Sequence, residues 1–139
     1  MSTKPPLQRY DAPPQLKLAL LWISVMFLYI YNDYFNMYLP GAIEGMAAGQ
    51  IGPWVASNDT ALIGVSMMLA IPSLMVFLSV ALPPVVSRWL NVLFGLLYTM
   101  IEAWTFSGSR LFFQIVVVME VALTLLIVFY ALRWPRRPA

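Results

Sequence analysis

The chain has no cysteine and no histidine, and only 10% of its residues are charged. The absence of cysteine excludes disulfide bonds and thiolate metal ligands. The absence of histidine removes the usual haem ligand and the side chain that most often carries protons near neutral pH. We therefore predict no metal and no cofactor. The sequence also carries no nucleophile motif, which favours a protein that is not an enzyme.

Most residues of the chain are apolar. Of the 139 residues, 61% are hydrophobic, and they occur in runs too long for a soluble core of this size to bury. The sequence therefore predicts a multi-pass integral membrane protein surrounded by lipid. The net charge of +2 comes from basic residues beside the apolar runs, so no nucleic-acid partner is expected.

Four segments meet the requirement of about 20 mostly apolar residues for a bilayer span. We predict an all-α, four-span transmembrane helix bundle with spans at about Leu16–Tyr38, Thr60–Leu82, Val85–Phe106 and Arg110–Leu132. Together they form one transmembrane domain, residues 16–134, between a polar, Pro-rich tail at 1–15 and a basic tail at 135–139. The remaining loop, residues 39–59, favours a short interfacial helix over a re-entrant segment.

The basic residues predict the orientation. An even number of spans puts both termini on one side of the membrane, together with the turn between the second and third spans. Of the eight basic residues, Arg110 alone lies on the other side. The remaining seven lie on the side of the termini: Lys4, Arg9, Lys17, Arg88, Arg133, Arg136 and Arg137. This bias predicts cytoplasmic termini and an external 39–59 loop.

The stretch YIYNDYFNMYLPG, residues 29–41, places polar side chains at the outer end of the first span. Tyr29, Asn32, Asp33 and Asn36 follow the i, i+3, i+4, i+7 spacing of one helix face. Taken singly, the two amides have a simpler explanation as hydrogen bonds between helices. Asp33 also has a simpler explanation, because a carboxylate near the interface can reach the lipid headgroups.

Two further acids lie in the spans. Helix geometry puts Asp33 roughly 9 Å outward of the first span's centre, Glu102 at a similar height in the third span, and Glu120 near the middle of the fourth. A charged side chain facing lipid at that depth costs about 2.5–3.5 kcal/mol. We therefore expect Glu120 to be protonated, paired with a ligand cation, or hydrated by a cavity.

These faces predict a binding pocket. Tyr98 and Glu102 belong, together with Asn91, to a polar stripe on the third span. The second span offers a small-residue face at Ser66, Ala70 and Ser73. A bundle that turns the faces together would enclose a polar, aromatic-lined pocket open to the outside. The predicted site for a proton or small cation comprises Tyr29, Asn32, Asp33, Asn36, Tyr98, Glu102 and Glu120.

The run MFLYIYNDYFNMYLPG, residues 26–41, together with four spans and a short basic tail, resembles an uncharacterised family of small bacterial four-helix membrane proteins. The resemblance implies the architecture and a bacterial plasma (inner) membrane, and it implies no activity. Small multidrug transporters are similar in size, in span count and in the use of a membrane glutamate. This chain departs from them, because Asp33 lies near the outer end of the first span and the largest loop is far longer.

Three functions remain open. The first is a transporter or channel-like module, in which homo-oligomers bind a proton or cation at Asp33, Glu102 and Glu120. The second is an accessory or assembly subunit whose polar faces dock onto a larger membrane complex. The third is a lipid-like ligand-binding protein or enzyme with paired carboxylates. Polar faces turned inward favour the first and third functions, and polar faces turned outward favour the second.

Overall fold

The computed structural model describes residues 10–51, 54–55, 59–107 and 110–135. Its helices and strands, in chain order, are α1 (Pro14–Asn36), α2 (Ala42–Ala47), β1 (Gln50–Ile51), β2 (Trp54–Val55), α3 (Asp59–Ala81), α4 (Pro84–Thr105) and α5 (Leu111–Leu132). Four of these helices, α1, α3, α4 and α5, have 22 or 23 residues and are long and apolar enough to cross a membrane. The predicted all-α, four-span fold class is thereby confirmed.

The four long helices begin and end within two residues of the predicted spans. Proline marks two of the starts: Pro14 opens α1 and Pro84 opens α4, positions where the missing N–H would have no partner in any case. Most of both tails lies outside the described residues. So do four of the basic residues that predicted the orientation: Lys4, Arg9, Arg136 and Arg137.

The long helices form an up-and-down bundle. Helix α1 packs along α3 and α5, α4 packs along α5 and over a smaller area on α3, and α1 and α4 face each other across the diagonal. We call the end near Pro14, Pro84 and Leu132 the terminal end, and the end near Asn36, Asp59 and Leu111 the loop end. Side chains that join α1 to α4 therefore cross the centre of the bundle.

The loop between α1 and α3 contains the short helix α2 and a two-stranded antiparallel hairpin that pairs Gln50 with Val55. Glycines with positive φ flank α2, Gly41 at 82° and Gly49 at 81°. Residues with a Cβ rarely adopt this left-handed conformation, so glycine permits the two sharp changes of direction. No residue of α2 is buried.

The apolar core lies mainly in the half of the bundle toward the terminal end. Leu18, Trp22 and Ile127 are fully buried there. Helix α3 contributes only Pro72, Met75 and Ser79 as buried residues, and none of its residues before Pro72 is buried. The small-residue face predicted to pack, Ser66, Ala70 and Ser73, is therefore not the packed face of α3; Ser66 and Ser73 are exposed.

Candidate functional site

Glu102 lies at the meeting point of three helices. Its side chain on α4 is only 4% exposed. Tyr29 of α1 donates its hydroxyl hydrogen to Oε1 across the bundle diagonal, and Thr124 Oγ1 of α5 lies 3.1 Å from Oε2. Each carboxyl oxygen therefore has a neutral hydroxyl group within donating distance, an arrangement that stabilises a negative charge.

Threonine hydroxyls extend this network between α4 and α5. Thr124 Oγ1 also lies 3.0 Å from the Glu120 carbonyl oxygen one turn earlier, as expected for threonine inside a helix. Thr99 Oγ1 lies 2.8 Å from Thr124 Oγ1. Because each hydroxyl carries one hydrogen, Thr99 can donate to Thr124 while Thr124 donates to Glu102 or to the Glu120 carbonyl.

Glu120 is the buried acid that this network does not satisfy. The side chain is 3% exposed, and its Oε1 is buried without a hydrogen-bond partner among the described residues. Glu102 and Asp33 both lie close enough for their charges to interact with Glu120. We call Tyr29, Thr99, Glu102, Glu120 and Thr124 the loop-end cluster.

The predicted residues of α1 divide between the interior and the surface. Asn32 is 9% exposed, and its Oδ1 has no partner among the described residues. Asp33 and Asn36 are exposed. Adjacent helical residues point about 100° apart, so a helix that turns Asn32 inward directs Asp33 to one side. Asn36 is the last residue of α1 and is not covered.

Glu102 and Asp33 differ in burial. Glu102 is buried and contacts α1 through the hydroxyl group of Tyr29, one helical turn before Asp33. Asp33 is exposed. That the two acids lie at the same depth and share one pocket stays a prediction.

Tyr98 has a structural partner. Its side chain is 2% exposed, and its hydroxyl donates to the backbone carbonyl of Met68 on α3. That carbonyl would ordinarily accept the N–H four residues later, which is Pro72 and has none. Tyr98 therefore satisfies the acceptor that Pro72 leaves free, and its ring packs edge-on against Trp22 at a centroid distance of 5.9 Å.

A second polar cluster, not predicted from the sequence, lies toward the terminal end. Asn91 Oδ1 accepts a hydrogen bond from Trp22 Nε1 at 2.7 Å. Ser79 Oγ lies 3.2 Å from the same oxygen and 2.6 Å from the Met75 carbonyl, so its one hydrogen has two acceptors in range. Asn91 Nδ2 donates to the Ser87 carbonyl at 2.8 Å, and Ser87 Oγ donates to the Ser79 carbonyl at 2.9 Å. The side chains of Trp22, Ser79, Ser87 and Asn91 are 0% exposed. We call them the terminal-end cluster; only Asn91, on the polar stripe of α4, gave a sequence signal.

Comparison with known proteins gives a family. The model of a family of unknown function, DUF6326, matches residues 7–138. No curated protein and no solved structure matches the chain. The match extends over all four long helices and confirms the expectation of an uncharacterised family. The chain belongs to DUF6326, a family of unknown function.

Proposed function

We propose that this chain is a proton- or cation-binding module of a membrane transporter or channel, and that it acts as an oligomer. The observation that carries the proposal is the Glu102–Glu120 pair. Glu102 has a hydroxyl donor within reach of each oxygen, while beside it Glu120 has a buried oxygen with no partner in the described part of the chain. Ionisable groups inside a membrane are expensive, and they commonly mark ion pathways and proton relays.

The packing of the bundle supports an oligomer. Toward the terminal end, Leu18, Trp22 and the terminal-end cluster fill the centre with fully buried side chains. A path through one chain would have to cross this region, whereas a path between copies would not. In a symmetric oligomer, the same residues of each identical subunit line such a path.

The basic side chains support cytoplasmic termini. Of the cations in the described residues, Lys17, Arg88 and Arg133 lie at the terminal end and Arg110 at the loop end. Arg88 Nη2 lies 3.4 Å from the Leu132 carbonyl, where a cation also complements the helix dipole. We place the protein in a bacterial plasma membrane with the loop end outside, in accordance with the positive-inside rule.

Cysteine labelling tests this orientation. Ser2→Cys and Glu44→Cys put single thiols in a tail and in the exposed helix α2 of a chain without cysteine. On intact cells an impermeant maleimide should label position 44 and leave position 2 unmodified until the membrane is opened. Labelling of position 2 alone would reverse the orientation.

Reconstitution tests the transport function. The purified full-length chain in liposomes with an internal pH dye should move protons, or a monovalent cation exchanged for them, down an imposed gradient. Glu120→Gln should abolish this flux and leave the helical content and oligomeric state unchanged. Asp59→Asn, which alters an exposed acid at the start of α3, is the matched control and should retain flux. Wild-type liposomes that are as tight as empty ones to every ion tested would refute the proposal.

A specific observation favours a second candidate, an accessory subunit of a larger membrane complex. Asp33 and Asn36 are exposed on α1, and α3 before Pro72 has no buried residue. Polar groups exposed at membrane depth are stabilised by docking onto partner helices. For a subunit, Asp33→Asn should weaken assembly with the partner, and Glu120→Gln should not.

A further inference from the structure

We propose that the ligand of the acid pair is a single proton, held on Glu120 while the neighbouring Glu102 stays ionised. This inference rests on the proposed function and narrows its ligand from any small cation to the proton. The geometry that supports it is the asymmetry of the pair: Glu102 has a hydroxyl donor on each oxygen, and Glu120 Oε1 has no partner among the described residues.

Glu102 is the member of the pair that is built to carry charge. The Tyr29 and Thr124 hydroxyl groups come from two different helices and reach opposite oxygens of the same carboxyl. A protonated Glu102 would have to donate through one of these oxygens, so one hydroxyl would lose its acceptor or reverse its direction. Thr124 could reverse, because the Glu120 carbonyl is a second acceptor 3.0 Å away. The ionised form needs no such change.

Glu120 is the member from which a charge must be removed. Within the described residues its titratable neighbours are acidic or phenolic: Tyr29 and Asp33 from α1 and Glu102 from α4. Tyr98 lies next to Glu102. Helix α3 adds no ionisable side chain in its described length beyond Asp59, its first residue. A second negative charge beside Glu102 would therefore have no cationic side chain to pair with in the described part of the chain. One proton removes it.

The site suits a proton better than a larger cation. The Glu120 Oε1 atom has less than 1 Å² of accessible surface, so a water-sized sphere does not reach it and an organic cation is excluded. A metal ion needs several oxygen lone pairs directed at one point. Around Glu102 the hydroxyl groups instead direct hydrogens inward, and no three Asp, Glu, His or Cys side chains converge as a metal site within the described residues.

The chemical event is simple. When water gains access to the site, an O–H bond of a hydronium ion breaks, an O–H bond forms on a Glu120 carboxylate oxygen, and water leaves. The charge of the pair changes from −2 to −1. No other bond is made or broken, so the same step in reverse releases the proton.

Infrared difference spectroscopy on the purified full-length chain in lipid nanodiscs tests this assignment. We expect wild-type protein at about pH 7 to show the C=O band of a protonated carboxyl that shifts in D₂O. Glu120→Gln should lose this band. Glu102→Gln should keep it but release the proton about tenfold more readily, because the neighbouring charge is gone. Asp59→Asn is the control and should match wild type.

The outcomes separate this inference from the proposed function. Wild-type protein without the band at about pH 7, or a band that survives Glu120→Gln, overturns the assignment; the wild-type spectrum suffices if a variant does not fold. If the titration midpoint moves with Na⁺ or K⁺ at constant ionic strength, a metal cation competes for the site. That result refutes the inference that the ligand is a proton, while the proposed cation-binding function stands. If the spectra are as expected but the liposomes do not leak ions, the proton site is supported and the transport function is refuted.

Discussion

The terminal-end and loop-end clusters are both built from buried polar side chains, and they differ in how completely those side chains are paired. Around Asn91, every buried side-chain nitrogen and oxygen of the cluster has a partner. Around Glu102, the hydrogen bonds end beside Glu120, one of whose oxygens has no partner among the residues that the structure describes. A fully paired network rigidifies the place where helices meet. A partly paired one leaves a charge for a ligand to neutralise, and we infer that the bundle separates structure from function in this way.

Removing the centre of the terminal-end cluster should give the largest loss of stability. Asn91→Ala leaves the Trp22 N–H without an acceptor and opens a cavity, so the free energy of unfolding should fall by about 3 kcal/mol. Asn36→Ala removes the same side chain from an exposed site and should cost less than about 0.5 kcal/mol. Unfolding in denaturing detergent, followed by circular dichroism, measures both. Equal costs would show that the cluster does not hold the bundle together.

The contact between α4 and α5, which the loop-end cluster bridges, should be the next most sensitive. A Cβ at Gly95 would lie 2.8 Å from Val128 Cγ2 and 3.4 Å from the Thr124 carbonyl. Gly95→Ala should therefore reduce the free energy of unfolding by about 1–3 kcal/mol. At Gly64 nothing lies within 4 Å of the added Cβ, so Gly64→Ala should stabilise α3 by up to about 1 kcal/mol. Effects of the same sign would contradict this account of the packing.

The hydrogen bond between Tyr98 and Met68 should give the smallest effect of the three. Tyr98→Phe leaves the Met68 carbonyl without a donor and should reduce the free energy of unfolding by about 1 kcal/mol. Pro72→Ala restores a backbone N–H to that carbonyl, so Tyr98→Phe in this background should cost less than half as much. The comparison is a double-mutant cycle. Additive costs would show that Tyr98 does not substitute for the missing N–H.

Much of the fold followed from local chemistry. Runs of apolar residues fixed four helices, and Pro14 and Pro84 opened two of them where a proline is tolerated. The helical period was less reliable in predicting which residues of a helix are buried. Tyr29 and Asn32 turned inward as predicted, whereas Asp33 and Asn36 share their sequence pattern and are exposed. A helical period groups residues within an arc, but it does not say which edge of that arc a neighbouring helix covers.

The partners of each buried polar atom required the structure. Thr99 carried no signal in the sequence because its role depends on Thr124, 25 residues away. Ser79 of α3 reaches Asn91 of α4 only because the two helices pack side by side, whereas Ser87 lies one turn before Asn91 on the same helix. The carbonyl freed by Pro72 was readable from the chain, but the hydroxyl that satisfies it was not.

The sequence by itself determined that this chain has four membrane-length helices, that three acids lie inside the predicted spans, and that no thiol or imidazole is present. Those properties depend on composition and spacing along one chain. Only the tertiary structure decided that Glu102 meets Tyr29 and Thr124, that Glu120 is buried beside it, and that Asp33 stays exposed. The physical reason is that pairing depends on the rotation and offset of each helix against its neighbours. Packing of all four helices sets these together, and no single segment encodes them.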